Sequence, residues 1–205
     1  MRDPVAPGPA AAGGRLPAAP PEAPQRVWRV VPEKARPTAP AWVVGQIVHG
    51  ALAAWLFPAE TEEGFATWAE AEARSCGLTD EKEIHDAVLR AARMLRRLQA
   101  HPLYTEMAQA EQCLHELPYS LVAGEAVENG LLDVLFRDRR GWTLVEFKTD
   151  HVESRAALDA LLAQEDYVKQ VQRYLDAAGR LLGVRPRPVL CFLNCGGEVV
   201  PIGDL

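Results

Sequence analysis

The sequence lacks the features that would assign it to several common classes of protein. No run of about 18 apolar residues is free of charge, so no membrane-spanning helix is predicted. Met1-Arg-Asp-Pro at the start lacks the apolar core of a signal peptide, which leaves the cytoplasm as the expected compartment. The four cysteines show no disulfide-framework spacing and suit a reducing compartment. No Gly-x4-Gly-Lys-Ser/Thr motif is present, so this chain alone is not expected to hydrolyse ATP.

Basic residues are also in short supply. Lys and Arg number 22 against 28 Asp and Glu, which gives a formal net charge of −6. This deficit argues mildly against a protein that binds nucleic acid unaided. The chain is nevertheless of ordinary globular composition, with 48% hydrophobic and 24% charged residues among 205. That length predicts one domain with a sizeable core.

Proline divides the chain into two parts. Residues 1–40 contain ten of the sixteen prolines, a composition that predicts a linker or disordered tail. Residues 41–205 form the predicted domain. It opens with a helix from Ala41 to Phe57 that is apolar nearly all round and is expected to end near Pro58. Further helices are predicted at 62–76, at 79–100 with Thr79 as N-cap, and at 165–182, and strands at 110–121, 188–193 and 198–202.

A hairpin in the middle of the domain is the most informative stretch. Two strands, Gly130–Phe136 and Trp142–Lys148, flank a polar turn. If Phe136 pairs with Thr143, Asp133 lies opposite Glu146. Alternation of side chains then groups Asp133, Glu146 and Lys148 with Leu131, Leu135 and Leu144 on one face, and Leu132, Val134, Phe136, Val145 and Phe147 on the other.

Charged side chains on an apolar face need compensation, and a divalent metal would supply it. Carboxylates on paired strands, at about 4.5–5.5 Å between Cβ atoms, can both reach one ion. The alternative is a charge cluster in which Lys148 neutralises one carboxylate. That alternative leaves the second acid unpaired, so the metal is favoured.

The hairpin resembles a known family of nucleases. Asp133 followed by Glu146-Phe-Lys148 resembles the PD-(D/E)XK nuclease signature. Gly130-Leu-Leu-Asp-Val and Val145-Glu-Phe-Lys-Thr-Asp150 are similar to the RecB/AddA type, the C-terminal nuclease domain of UvrD-like bacterial helicase–nucleases. The resemblance implies an α/β, restriction-endonuclease-like fold with a mixed central β-sheet flanked by helices. It also implies metal-dependent, exonuclease-type hydrolysis of DNA phosphodiesters, acting with a helicase in DNA end processing and recombinational repair.

Other segments extend the resemblance. Gly45-Gln-Ile-Val-His49 is similar to the Gly-x-x-x-His pattern that opens this nuclease type, and Gln170-x-x-x-Tyr174 to the motif that follows its lysine. Glu116 resembles an earlier acidic position. From the residues alone, His49 could be a hydrogen-bonded core histidine, Glu116 an exposed strand residue, and the Gln170–Tyr174 pair the polar edge of a core helix.

The resemblance assigns roles to these residues. Asp133, Glu146 and Lys148 would be catalytic, and Gln170 and Tyr174 would bind DNA or brace the site. Mg²⁺ or Mn²⁺ would be held by His49, Asp133, Glu146 and the backbone carbonyl of Phe147, with Glu116 as a further candidate ligand. No iron–sulfur cluster is expected, because only two of the four cysteines (Cys76, Cys113, Cys191 and Cys195) lie late in the chain and Cys191 falls in an apolar strand.

The expected partners are DNA, in single-stranded form, and a helicase, either a domain of the same parent chain or an AddAB/RecBCD-type subunit. No membrane is expected. A cluster of arginines (Arg90, Arg93, Arg96 and Arg97) is explained by a solvated face that complements the helix dipole, with contact to the DNA backbone as the alternative. Two other functions stay open, a non-catalytic DNA- or partner-binding module and a stand-alone exonuclease.

Overall fold

The computed structural model describes residues 39–58, 62–123, 126–163 and 166–203. These residues belong to one compact unit, Pro37–Leu205. The tail predicted at residues 1–40 lies outside the described part except for Ala39 and Pro40. Ala39 is buried, and its backbone N–H donates to Asp86 Oδ2 at 3.1 Å, so the domain includes residues before Ala41.

Helices come first in the described chain, and most of the strands follow. The elements are α1 (Ala41–Ala53), α2 (Glu62–Ser75), α3 (Glu81–Gln99), α4 (Pro102–Ala108), β1 (Gln112–Ala123), β2 (Ala126–Asp138), β3 (Gly141–Lys148), α5 (Arg155–Leu162), α6 (Asp166–Leu182), β4 (Arg187–Cys195) and β5 (Glu198–Ile202). All the predicted helices and strands are present.

Helix ends differ from the predictions where short-range chemistry decides them. α1 ends at Ala53 rather than near Pro58, and Trp55 follows in a left-handed conformation with φ 51°. Asp80, not Thr79, caps α3, because its carboxylate accepts the N–H of Lys82 at 2.7 Å.

Two short helices were not predicted from the sequence. Pro102 opens α4, where the missing proline N–H costs nothing. α5 begins after Ser154, whose hydroxyl accepts the N–H of Ala157 at 3.2 Å.

The five strands form one mixed sheet in the order β1-β2-β3-β4-β5. β3 and β4 are parallel, whereas the other neighbours are antiparallel. The pairing of Phe136 with Thr143 confirms the predicted hairpin register, although the ladder ends at Val134 and Val145, one pair before Asp133 and Glu146. Because β3 and β4 are parallel, the chain must cross over between them, and α5 and α6 make this crossover. The predicted α/β class, with a mixed sheet flanked by helices, is confirmed.

Both faces of the sheet are covered by helices. Val134, Phe136, Val145 and Phe147 belong to a core shared with α1 to α4. On the opposite face, a second core brings strand residues together with α5 and α6; its members include Leu135, Leu144, Leu158, Val171, Leu175 and Leu190. A sheet buried on two sides explains why both hairpin strands are apolar at nearly every position.

Side-chain alternation along β2 fails at Asp133, which corrects one prediction. Leu132 was assigned to the face opposite Leu135, but it is fully buried in the same core as Leu135 and Leu144. Leu131, expected in that core, is 43% exposed. The cause is local, because the β2–β3 pairing stops at Val134 and Glu116, beside this point on β1, has a left-handed φ of 44°.

Gly130 provides a test of the packing around β2. It pairs with Tyr119, and a Cβ at Gly130 would overlap the Tyr119 ring, which is itself buried. Gly130→Ala should therefore lower the free energy of unfolding by about 1–3 kcal/mol through overpacking. Urea denaturation measures this. Gly64→Ala is the matched control, because its added methyl group in α2 would meet no described atom within 4 Å beyond its chain neighbours and its own helix backbone. It should raise stability by up to about 1 kcal/mol. Equal effects of the two substitutions would contradict this account.

Candidate active site

The carboxylate of Asp133 connects α1 to the end of the hairpin. Its Oδ1 lies 3.1 Å from Nδ1 of His49, in the last turns of α1. Its Oδ2 accepts the backbone N–H of Phe147 on β3 at 2.8 Å. α1 can approach this closely because Gly45, one turn before His49, would place a Cβ only 3.1 Å from Thr149 Oγ1. The Gly-x-x-x-His spacing therefore has a packing reason.

A second network surrounds Glu146. Its Oε1 accepts hydrogen bonds from Lys148 Nζ at 2.9 Å and from Gln170 Nε2 at 3.1 Å. Lys148 also donates to Gln170 Oε1 at 2.8 Å, and Gln170 Nε2 lies 2.7 Å from the Tyr174 hydroxyl. Glu146 and Lys148 come from β3 and the other two from α6, so the crossover helix fixes the polar end of the strand.

Aromatic side chains support this second network. The ammonium of Lys148 lies 5.0 Å from the centroid of the Tyr167 ring, a cation–π distance. Tyr167 also donates its hydroxyl to Asp150 Oδ2 at 3.1 Å. Tyr119 packs edge-on against Tyr174, with ring centroids 5.9 Å apart. Sequence reasoning missed Tyr119. The available signal was Gly130, a glycine within a strand, which pairs with Tyr119 between β1 and β2.

Burial gives Glu146 unusual acid–base behaviour. Its side chain is 5% exposed, and one oxygen, Oε2, is buried without a hydrogen-bond partner in the described protein. Burial, and after it the negative charge of Asp133, raises the pKa of Glu146 to about 7, while Lys148 and His49 act in the opposite direction. An unpartnered buried carboxylate oxygen is costly, so this residue is not placed for stability.

The same cluster raises the pKa of His49 above its ordinary value. Burial lowers its pKa, but the hydrogen bond with Asp133 and the charges of Asp133 and Glu146 outweigh that effect, so the net pKa is raised. The His49 side chain keeps 32% of its surface exposed. It therefore sits at the rim of the cluster, where a cation that competes with its proton could reach it.

The predicted site residues come together in one region, with one exception. Phe147 joins the two networks, because its N–H binds Asp133 and it directly follows Glu146; His49, Asp133, Glu146, Lys148, Gln170 and Tyr174 all take part. Glu116 is exposed and forms no hydrogen bond or ion pair within the described residues. Its strained, left-handed φ of 44° is the kind of outlier found at functional sites. Its role as a ligand stays a prediction.

Metal binding would require side chains to rearrange. Among the described residues, no three His, Cys, Asp or Glu side chains already converge as metal ligands do. His49 is bonded to Asp133, and Glu146 to Lys148. The side chains that would have to converge are the two carboxylates and His49, and the unpartnered Oε2 of Glu146 is one oxygen free to take part.

Other parts of the described chain bear on the expected partners. All four cysteines are free; Cys191 and Cys195 are buried in β4 and the other two are partly exposed. The absence of an iron–sulfur cluster stays a prediction. Within the described ranges, no helix combines the length and the apolar character needed to cross a membrane.

Comparisons with known proteins add little. No family model matches the sequence, and no similar sequence was found among curated proteins. Among solved structures, the chain is similar to the crystal structure of protein VC1899 from Vibrio cholerae, with 12% sequence identity and a TM-score of 0.33. The match covers 77% of this chain and 44% of that one, so it spans less than half of the Vibrio protein. A likeness at that level assigns neither a fold family nor a function.

The raised pKa of Glu146 predicts a pH-dependent stability difference. Between its unfolded pKa near 4.5 and its folded pKa near 7, the folded state binds more protons, so this group lowers stability as pH rises through that window. Glu146→Gln removes the titrating carboxylate and leaves Asp133 with its partners His49 and the Phe147 N–H. Relative to the original chain, the variant's unfolding free energy should therefore rise by about 1–3 kcal/mol from pH 5 to pH 8.

Urea denaturation in EDTA at both pH values measures that difference. The control is Glu198→Gln, at an exposed position on β5, which should show little change with pH. A Glu146→Gln difference that is flat between pH 5 and pH 8 would refute the role assigned to burial.

Proposed function

We propose that this chain is a metal-dependent deoxyribonuclease of the PD-(D/E)XK type, with a restriction-endonuclease-like domain at residues 41–205. One observation supports this most strongly. The residues that carry the RecB-type resemblance are far apart in sequence, yet they meet in one hydrogen-bonded cluster at the junction of α1, the hairpin and α6. Chance similarity in short motifs gives no reason for such residues to meet.

The chemistry of the cluster supports a cation ligand set. Asp133 and Glu146 place two carboxylates against one nearby ammonium, and one carboxylate oxygen is buried without a partner among the described residues. His49, Asp133 and Glu146, with the carbonyl of Phe147, would hold Mg²⁺ or Mn²⁺, ions that suit oxygen-rich sites. When bound, such an ion would neutralise charge on a scissile phosphate and make a nearby water more acidic.

The protein's own side chains have separate duties in this proposal. Lys148 is held by Glu146, by Gln170 and by the Tyr167 ring, which fixes its ammonium at the end of β3. A fixed positive charge there stabilises the charge that develops on phosphate oxygens during hydrolysis. Gln170 and Tyr174 orient Lys148 and Glu146, and the hydrogen bond with His49 orients Asp133.

The proposed substrate is single-stranded DNA delivered by a helicase domain or an AddAB/RecBCD-type subunit, in cytoplasmic DNA end processing and recombinational repair. The net charge of −6 supports dependence on a partner, because an acidic chain attracts a polyanion poorly. Hydrolysis would be of the exonuclease type.

A non-catalytic binding module is the second candidate. One observation favours it, namely that no three ligand side chains already converge within the described residues. Metal affinity separates the two functions, since a module that only binds DNA or a partner has no need of a cation site.

Metal binding is therefore the first test of the proposal. The full chain should bind Mn²⁺ with a dissociation constant in the low-millimolar range or better, measured by electron paramagnetic resonance or calorimetry. Asp133→Ala should weaken binding by about tenfold or more, since it removes one of very few charged ligands. Asp159→Ala, at an exposed position on α5, is the control and should bind as the original chain does. Equal affinity of both variants would argue for the binding module.

Cleavage is the second test. With Mn²⁺ present, the chain should degrade labelled single-stranded DNA, and Lys148→Ala should reduce the rate by at least about a hundredfold, as expected when a preorganised charge is removed. Lys82→Ala, in the exposed first turn of α3, should keep full activity. Circular dichroism should show that both variants fold. A fully active Lys148→Ala variant would eliminate the catalytic assignment.

A further inference from the structure

A basic cavity lies beside α3, outside the cluster described above. Its volume is about 240 Å³. We call it the α3 pocket and define it by its lining residues, Arg90, Arg93, Met94, Arg97, His151 and Asn194. The lining contains three guanidinium groups and no carboxylate among the described residues, in a chain whose overall charge is −6. Its electrostatic character is therefore opposite to that of the protein as a whole.

The three arginines differ in the hydrogen bonds and ion pairs that they already form within the protein. Arg90 has a structural role, because it donates to the carbonyl of Ala39 at 2.8 Å and lies 3.5 Å from Asp86. Arg93 donates Nε to the carbonyl of Leu89 at 3.3 Å, and Arg97 donates to Asn194 Oδ1 at 3.4 Å. Neither Arg93 nor Arg97 has a carboxylate within ion-pair distance in the described ranges. Their remaining donors are available to an anion.

The helix dipole does not account for this arrangement. A favourable dipole interaction falls off within the last turn, and the basic residues of that turn are Arg96 and Arg97. Arg93 lies earlier in α3, yet it faces the same cavity as Arg97, four residues later on the same side of the helix. The helix dipole therefore explains only part of the arginine cluster.

Sheet topology places the pocket at the same end of the sheet as the proposed active site. Lys148, the last residue of β3, pairs with Phe192 on the parallel strand β4. Beyond that pair, the N–H of Val152 donates to the Asn194 carbonyl at 3.1 Å, and Asn194 Nδ2 lies 3.2 Å from His151 Nδ1. Lys148 binds Gln170 on α6 and Asn194 binds Arg97 on α3, so different helices hold the two sites at the carboxyl ends of β3 and β4.

We infer that the α3 pocket binds a backbone phosphate of the DNA strand whose scissile bond lies at Glu146 and Lys148. This inference rests on the proposed nuclease function. Paired guanidinium groups without acidic partners in the described chain fit phosphate oxygens through charge-assisted hydrogen bonds. A strand that passes over the carboxyl ends of β3 and β4 would reach both sites. The pocket would hold the strand in register and leave the chemical step to the cluster around Glu146 and Lys148.

The test compares two double variants with the same change of charge. Arg93→Gln/Arg97→Gln alters the pocket, whereas Arg74→Gln/Arg139→Gln alters two arginines outside it. Binding of a fluorescent 20-nucleotide oligo(dT) to the full chain is measured in EDTA over a range of salt concentrations, so no cleavage occurs. The pocket variant should bind about tenfold more weakly, and its salt slope should fall by about 0.7 for each phosphate that the arginines no longer neutralise. The control should change less than twofold.

Competition with inorganic phosphate shows whether the pocket binds a phosphate of the DNA strand or a free phosphate ion. If phosphate at millimolar concentration displaces the oligonucleotide no better than chloride at equal ionic strength, the pocket binds the strand, as proposed. Steady-state cleavage by the pocket variant should show a raised KM with kcat within about twofold, because an interaction remote from the reacting phosphate contributes to binding alone.

The outcomes separate this inference from the nuclease proposal. Binding that falls in the pocket variant, in a chain that never cleaves DNA, would keep the phosphate pocket and discard the nuclease. Cleavage with equal binding and equal KM in both double variants would keep the nuclease and overturn the pocket. Failure of the original chain to bind the oligonucleotide at low salt would also overturn it. Arg93→Gln alone, at an exposed position, repeats the test if the double variant is unstable.

Discussion

The carboxylate of Asp133 is the connection on which the rest of the site depends. Regular pairing between β2 and β3 ends at Val134, and the Phe147 N–H that lies beyond it is satisfied by the Asp133 side chain. The same carboxylate is bonded to His49. One side chain thus replaces a missing backbone pair and fixes the helix against the strand, because buried backbone donors must find a partner.

Glu146, unlike Asp133, lowers the stability of the fold. Its charge is buried next to a second carboxylate, with one oxygen unpartnered in the described chain. Lys148, Gln170 and the charge of His49 offset part of the cost. A core residue selected for stability would not keep this arrangement. A group that must meet a cation or a phosphate would, since an unpaired charge in a partly dry site interacts strongly with an incoming opposite charge. The loss of stability caused by the buried Glu146 carboxylate is therefore an argument that this residue has a function.

The features of this molecule that depend on the periodicity of apolar residues could be predicted from the sequence. Features set by the backbone dihedral angles of single residues could not. The register that pairs Phe136 with Thr143 followed from the two apolar runs and their turn, and it placed Asp133 near Glu146. The faces of Leu131 and Leu132 were wrong, because strict alternation assumes an unbroken strand and β2 is irregular at Asp133. No feature of the sequence predicts that Glu116 adopts a left-handed φ.

Short helices escaped prediction for a related reason. α4 and α5 are stabilised by one proline and one serine cap and by tertiary packing, not by a long amphipathic period. The cluster itself could be predicted only in part. Motif spacing pointed to His49, Gln170 and Tyr174, but the hydrogen bond from Gln170 to Glu146 exists because α6 crosses over between parallel strands, and local sequence does not encode that contact.

The parallel pair β3–β4 also explains why two sites of opposite charge can share one end of the sheet. At the carboxyl ends of parallel strands the chain must leave the sheet, and in open α/β sheets ligands bind in the crevice this creates. Here α6 contacts Glu146 and Lys148 of β3, whereas α3 contacts Asn194 at the end of β4, so the carboxylate and the arginines are held by different helices. An acidic chain can therefore present arginines at the same end of the sheet as its carboxylates. The proposed polyanionic substrate would use both, the arginines to hold the strand and the carboxylates, with a cation, to cut it.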